Sequence, residues 1–322
     1  MWLPIAMLIV GFVVLVWSAD RFVTGAAATA SNLGVSKMLI GLTVVSLGTS
    51  APEILVSLTA AINDTPILAV GNAIGSNIAN IGLVLGIAAM ITPLPFAQSV
   101  LRTELPWLIA ATLLGLVVLF NLNLSVTDSL ALLAGLGFIL WRLAKRQNES
   151  QTADAPPQAF ADELDELPEM TTLPAVIWML VGLVLLLVSA QLLVTAAVQI
   201  AEVLGVSELV IGLTIIAIGT SLPELAATVG AALKGHAEMA IGNIVGSNLL
   251  NILAVLAVPG LIVTTNLESV VLWRDYGMMF ALTMLLVLFA YAIGSRPIIT
   301  RFEGAIIVLS WIGYTVILYS QS

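Results

Sequence analysis

The sequence has no cysteine, a single histidine and few charges: Asp, Glu, Lys and Arg make up 9% of its 322 residues, against roughly 25% in soluble domains. Without cysteine there is no disulfide and no thiolate metal site. With only His236 to offer an imidazole, in a predicted loop, a soft or borderline metal has little to bind. The formal net charge of −9 does not mark an acidic partner surface, because seven of the nineteen acids fall between Glu149 and Glu169. The first twenty residues lack a basic n-region and an A-x-A-like cleavage site, so they read as a retained first helix rather than a signal peptide.

What is present is apolar. Hydrophobic residues make up 60% of the chain and the mean hydropathy is +1.12. The apolar runs last about 17 to 28 residues, and about 20 suffice to cross a bilayer core as a helix. A barrel would need alternating strands of about ten residues, and blocks such as LVGLVLLLVSAQLLV do not alternate. The expectation is an all-α polytopic membrane protein.

The chain repeats itself. Residues 41 to 53 read GLTVVSLGTSAPE and residues 212 to 224 read GLTIIAIGTSLPE, an offset of 171. At the same offset GNAIGSNIAN at 71 to 80 matches GNIVGSNLLN at 242 to 251. Ten spans are predicted, at about 3–19, 38–62, 66–93, 104–121, 126–144, 173–198, 209–233, 238–265, 275–293 and 299–319. They divide into a five-helix repeat at 1–145, an acidic cytoplasmic linker at 146–172 and a second five-helix repeat at 173–322. An odd number of spans per repeat makes the chain enter the second from the opposite side, so the two repeats are expected to be inverted. With both termini outside, Arg21, Lys37, Arg102, Arg142, Lys145, Arg146, Lys234, Arg296 and Arg301 lie near cytoplasmic ends and only Arg274 lies outside, a strong positive-inside bias.

Each copy places one acid in apolar sequence, Glu53 and Glu224, and no comparable acid is expected elsewhere in the membrane interior. An ionised carboxylate at that depth costs at least about 2.5 kcal/mol. Each follows a Gly-Thr-Ser and a proline: Gly48, Thr49, Ser50, Pro52, and Gly219, Thr220, Ser221, Pro223. Proline removes a helical hydrogen bond, so backbone carbonyls near Gly48 and Gly219, including those of Ser46 and Ala217, are expected to be freed. Ser76 and Asn80, and likewise Ser247 and Asn251, stand one turn apart on a polar face that Asn72 and Asn243 extend. All these candidate ligands are oxygen, as hard cations such as Ca²⁺ and Na⁺ require. Asn77 and Asn248 read as helix staples.

The pair GTSAPE and GTSLPE, each followed by GSN and a further asparagine, resembles the α-repeats of the sodium/calcium exchanger family within the calcium/cation antiporter superfamily, in its prokaryotic form. The resemblance implies that Glu53 and Glu224 share calcium with oxygens of Thr49 and Thr220. It also implies that Ser50, Ser76, Ser221 and Ser247 with the carbonyls of Ser46 and Ala217 form flanking sodium sites, and that Asn80 and Asn251 complete a central diamond. Some members carry aspartate at the position of Asn251, whereas this chain has asparagine in both halves.

The function expected is Ca²⁺/Na⁺ antiport by alternating access, with spans 1 and 6 moving against the bundle and protons competing for the glutamate pair. Proton- or potassium-coupled exchange is the alternative. An intramembrane carboxylate enzyme is disfavoured, because acid and base roles need unlike environments and these are duplicated. The transported ions are substrates; no cofactor or nucleic-acid partner is expected, and a monomer is expected in the lipid of a cytoplasmic membrane.

Overall fold

The computed structural model describes residues 2–33, 50–98, 100–150, 170–233, 237–291 and 297–321. Its first-half helices are α1 (Trp2–Asn32), α2 (Ala51–Ile62), α3 (Pro66–Ile91), α4 (Val100–Leu119) and α5 (Val126–Ser150). Those of the second half are α6 (Thr172–Leu204), α7 (Glu208–Thr220), α8 (Leu222–Leu233), α9 (Ala237–Leu250, continued by Ala257–Ile262), α10 (Val271–Tyr291) and α11 (Arg301–Ser320). Among the described residues seven helices are long and apolar enough to cross a bilayer, or eight if α7 and α8, bent by 45° at their junction, form one broken span. This is a multi-pass, helical membrane protein.

Several boundaries differ from those expected. The helix expected at 3–19 runs to Asn32, and the one expected at 173–198 runs to Leu204. Hydropathy falls at Asp20 and Arg21, but the helix continues through a segment that includes Ala26, Ala27, Ala28 and Ala30, alanine being the best helix former. The Arg21 guanidinium lies over the rings of Trp17 and Trp178, 5.6 and 5.3 Å from their centroids, a cation–π arrangement that lets the charge stay on the helix. Gly205, at φ +67°, ends α6 in the left-handed conformation that glycine adopts without penalty.

The repeat is structural as well as textual. α2 and α8 are each 12 residues long and begin 171 residues apart. Wide i→i+5 turns interrupt α3 at Asn80–Leu85 and α9 at Asn251–Val255, and open α4 at Val100–Glu104 and α10 at Val271–Tyr276. Two short antiparallel pairs lace the halves together. Strand β1 (Leu94–Pro95) pairs with β4 (Ile298–Ile299), and β2 (Asn123–Leu124) with β3 (Thr265–Asn266).

α3 and α9 occupy the middle of the molecule and are mostly buried, whereas α1, α6 and α11 turn most of their surface outward. α1 and α6 lie against each other. A methyl group on Gly11 would meet Leu193, one on Gly25 would meet the Met179 backbone, and one on Gly182 would meet that of Phe22. Residue numbers rise along one helix as they fall along the other, so the pair is antiparallel.

Glycine also sets the approach of α3 to α7. A Cβ on Gly212 would stand 2.5 Å from the Leu68 carbonyl oxygen and 3.1 Å from the Gly71 Cα, and one on Gly75 would stand 2.7 Å from the Leu213 Cα. These obstacles are backbone and cannot swing aside. Gly212→Ala is therefore expected to destabilise the protein by about 1–3 kcal/mol through overpacking. Gly313→Ala, where a Cβ meets nothing within 4 Å, should be neutral or slightly stabilising. Thermal unfolding of the two variants in detergent checks this, and equal midpoints would contradict it.

Candidate cation site

The site is built around two serines with matching non-helical backbone. Ser221 (φ −83°, ψ 5°) separates α7 from α8, and Ser50 (φ −89°, ψ 5°) precedes α2 with nearly the same backbone. The prolines do not kink a continuing helix; they stand in the first turn of a new one, where the missing N–H costs nothing. Glu53 and Glu224 consequently lie in the first turns of α2 and α8, where the positive end of the helix dipole favours an anion. The serine before such a helix usually caps it. Here the Ser50 hydroxyl makes no cap bond, and the Oγ atoms of Ser50 and Ser221 are both buried without a hydrogen-bond partner in the protein.

Both carboxylates are fully buried. Neither oxygen of Glu53 has a hydrogen-bond partner, and Glu224 has one, the Ser247 hydroxyl at 3.4 Å on Oε1. The two acids are near enough for their charges to act on one another. Among the described residues no three His, Cys, Asp or Glu side chains converge, so oxygens other than carboxylate must supply the rest of any cation shell here.

The neighbouring helices bring such oxygens. Ser76 of α3 lies 3.4 Å from the Thr220 hydroxyl at the end of α7, joining the two halves of the sequence. Asn80 and Asn251 open the wide turns of α3 and α9; both are buried, and neither side chain has a hydrogen-bond partner. Asn248 donates to the Asn77 carbonyl at 3.3 Å, linking α9 to α3, while Asn77 donates to Ala73 on its own helix. The Ala217 carbonyl is not freed by the proline, for it accepts the Ser221 N–H at 3.1 Å and lies 3.4 Å from the Thr220 hydroxyl. Ser46 and Thr49 lie outside the described residues.

A model of the sodium/calcium exchanger proteins matches residues 3–144 and 174–320. The chain belongs to the sodium/calcium exchanger family. Among curated relatives, CaxA of Alkalimonas amylolytica is 46% identical over 97% of this chain and 98% of its own. The inner membrane protein YrbG of Escherichia coli is 38% identical over 99% and 98%, and the sodium/calcium exchanger MaX1 of Methanosarcina acetivorans 30% identical over 97% of each. Of solved structures, the sodium-calcium exchanger NCX_Mj, soaked with Na⁺ and Ca²⁺, superposes with a TM-score of 0.63 at 32% identity, covering 96% of both chains. Cation antiport is the activity of this family, and its members are transporters.

Two parts of the exchanger's polar interior go beyond the residues expected. Ser57 and Thr228, each one turn beyond a glutamate, accept hydrogen bonds from Asn72 and Asn243 at 3.0 and 3.1 Å. They too stand 171 residues apart, and aligning the copies for matched hydroxyls, rather than identical residues alone, would find them. The second is a third buried acid. Asp275 stands at a predicted span end, where an acid is expected to reach water, yet it is fully buried in α10. Unlike the glutamates it is answered within the protein: the Arg274 guanidinium donates to it at 2.7 and 3.1 Å, and the Tyr314 hydroxyl at 2.8 Å.

Removing Arg274 would leave Asp275 buried without a countercharge, hydrogen-bonded by Tyr314 alone. Arg274→Ala is therefore expected to cost about 3–5 kcal/mol, and Asp275→Asn in that background should restore part of the loss. Thermal unfolding of the single and double variants measures both, and an additive double variant would show that the pair is not coupled.

Proposed function

We propose that this chain exchanges Ca²⁺ for Na⁺ at a site shared by Glu53 and Glu224. The observation that carries the reading is the burial, in a membrane-spanning bundle, of two carboxylates of whose four oxygens three have no hydrogen-bond partner. A buried charge needs a countercharge, and among the described residues no basic side chain pairs with either. A divalent cation would neutralise both at once; monovalent cations would share the carboxylates with serine and asparagine oxygens. Ser50, Ser76, Ser221 and Ser247 with Asn80, Asn251 and Thr220 are the ligands proposed beside them, together with Ser46 and Thr49. The Ala217 carbonyl would join the shell only by giving up a hydrogen bond it already makes.

The two halves are read as inverted five-helix repeats. Support comes from α1 and α6, which correspond at the 171-residue offset yet pack antiparallel. Placing both termini outside rests on the distribution of basic residues. Alternating access is read as a movement of α1 and α6 against the rest. Buried apolar residues form two clusters, and these two helices, with parts of α2 and α7 and the start of α3, make up the smaller. The halves also differ in exposure: Gly75 and Asn72 are buried, whereas Gly246 is exposed and Asn243 half-buried. Near-identical sequence in unlike surroundings is what an alternating transporter held in one state presents.

The test is ⁴⁵Ca²⁺ uptake into proteoliposomes loaded with Na⁺, with K⁺, or bearing only a proton gradient. Uptake should require internal Na⁺, and in Glu53→Gln and Glu224→Gln it should fall to background while each protein remains folded. Uptake driven by a proton gradient alone, or surviving in either variant, would overturn the proposal.

A further inference from the structure

Among the described residues Asn72 has the most hydrogen-bond contacts in the polar interior, and the exchange reaction as proposed does not use it. It is fully buried. Its Nδ2 donates to the Glu53 backbone carbonyl at 3.2 Å and to the Ser57 hydroxyl at 3.0 Å. Its Oδ1 is approached by the Thr220 hydroxyl at 3.2 Å and, more distantly, by the Ser76 hydroxyl at 3.5 Å. One side chain therefore touches α2, α3 and the end of α7, and both halves of the repeat.

The orientation of this amide follows from chemistry. A backbone carbonyl can only accept, so the nitrogen of Asn72 must face Glu53, and the oxygen must then face Thr220 and Ser76. An amide oxygen also only accepts, so a hydroxyl bonded to it is the donor; for Thr220 the Asn72 oxygen at 3.2 Å is nearer than the Ala217 carbonyl at 3.4 Å. A hydroxyl has one proton and two lone pairs. Once its proton is given to Asn72, the oxygen of Thr220 or Ser76 can present only lone pairs on its remaining side, which is what a cation requires. A hydroxyl free to rotate would instead spend part of its time pointing its proton at the ion.

We infer that Asn72 is a positioning residue: it does not ligate the cation, but fixes the Thr220 and Ser76 hydroxyls with their oxygens turned to it. This rests on the reading of Thr220 as a ligand. Ser57 is part of the device, because by accepting from Nδ2 it helps keep the amide from turning over. Neutrality suits the role, since an acceptor with a charge would change the balance of the glutamate pair.

The experiment is the half-saturating Ca²⁺ concentration and the maximal rate of Na⁺-driven uptake in proteoliposomes, measured for wild type, Asn72→Ala, Thr220→Val and the double variant. Partners that orient a ligand from behind typically contribute 10- to 100-fold in metal affinity. Asn72→Ala should therefore raise half-saturating Ca²⁺ by roughly tenfold or more, with a smaller effect on maximal rate. In the Thr220→Val background the same change should do much less, because the hydroxyl it orients is gone. Thr220→Ser, which keeps the hydroxyl, should restore the sensitivity to Asn72→Ala. Ser57→Ala, a milder change that leaves the acceptor in place, should move half-saturation in the same direction and serves if Asn72→Ala does not fold. If the Asn72 and Thr220 effects multiply, or Ser57→Ala shifts nothing, the inference is wrong and the ligand reading stands. If Thr220→Val leaves half-saturation unchanged, the ligand reading of Thr220 fails and the inference fails with it.

Discussion

Two buried carboxylates, accepting between them one hydrogen bond, from the Ser247 hydroxyl, set the terms for the rest of this structure. Two like charges near one another repel, and burying each carries a desolvation cost besides. A protein that merely had to fold would pair such acids internally, as this one does for Asp275 with Arg274 and Tyr314. The same chain thus shows what a satisfied buried acid looks like, and Glu53 and Glu224 do not look like it. What the fold gives them is partial: a place in the first turn of a helix, and hydroxyls and amides on the facing helices. That set leaves room for a positive charge.

Holding such a site requires backbone to come close and side chains to be aimed, and different devices do the two jobs. Gly71 and Gly75 of α3 and Gly212 of α7 remove the side chains that would keep these helices apart. The Ser76 and Thr220 hydroxyls meet across the resulting contact. Wide turns then re-aim the side chains farther along each helix. An i→i+5 turn inserts an extra residue and shifts the phase of the helix beyond. In both α3 and α9 it begins at the asparagine proposed as a ligand. Each glutamate-bearing helix also packs against the far half: α2 against the end of α9, and α8 against the end of α3. Neither half alone encloses its own acid.

Much of this is legible in the residues. The offset of 171, the two acids and the oxygen-only character of their surroundings are all in the sequence, because a charge in apolar sequence stands out and a duplicated one stands out twice. Helix ends are less legible. Hydropathy marks where lipid contact ends and not where the backbone stops being helical, so α1 and α6 overrun their expected limits. The wide turns leave no compositional mark, since they depend on tertiary packing. From sequence the prolines read as kinks that free carbonyls, whereas new helices start after Ser50 and Ser221. Proline is compatible with both, and only the backbone of the preceding serine decides. Asp275 escapes a sequence reading because it stands at a predicted span end beside Arg274, and its second partner, Tyr314, lies 39 residues away.

Among the described residues the hydrogen bonds around the glutamates do not share the symmetry of the sequence: Glu224 accepts one from Ser247 and Glu53 accepts none. Ser76 lies against Thr220 and Asn72, while its counterpart Ser247 lies against Glu224. Asn72 and Asn243 keep equivalent bonds to Ser57 and Thr228 but differ in burial. Two copies with matched residues in mismatched surroundings can exchange surroundings without exchanging chemistry. If the arrangement around Ser76 can form in one half, its image around Ser247 is open to the other, since the residues that make it are repeated there. Under the proposed alternating access, a duplicated site of this kind would supply two end states of comparable energy, and ions neutralising the carboxylates would lower the cost of passing between them. Sequence duplication would then be more than a trace of ancestry, because it would bring the two facing states close in energy, as reversible exchange demands.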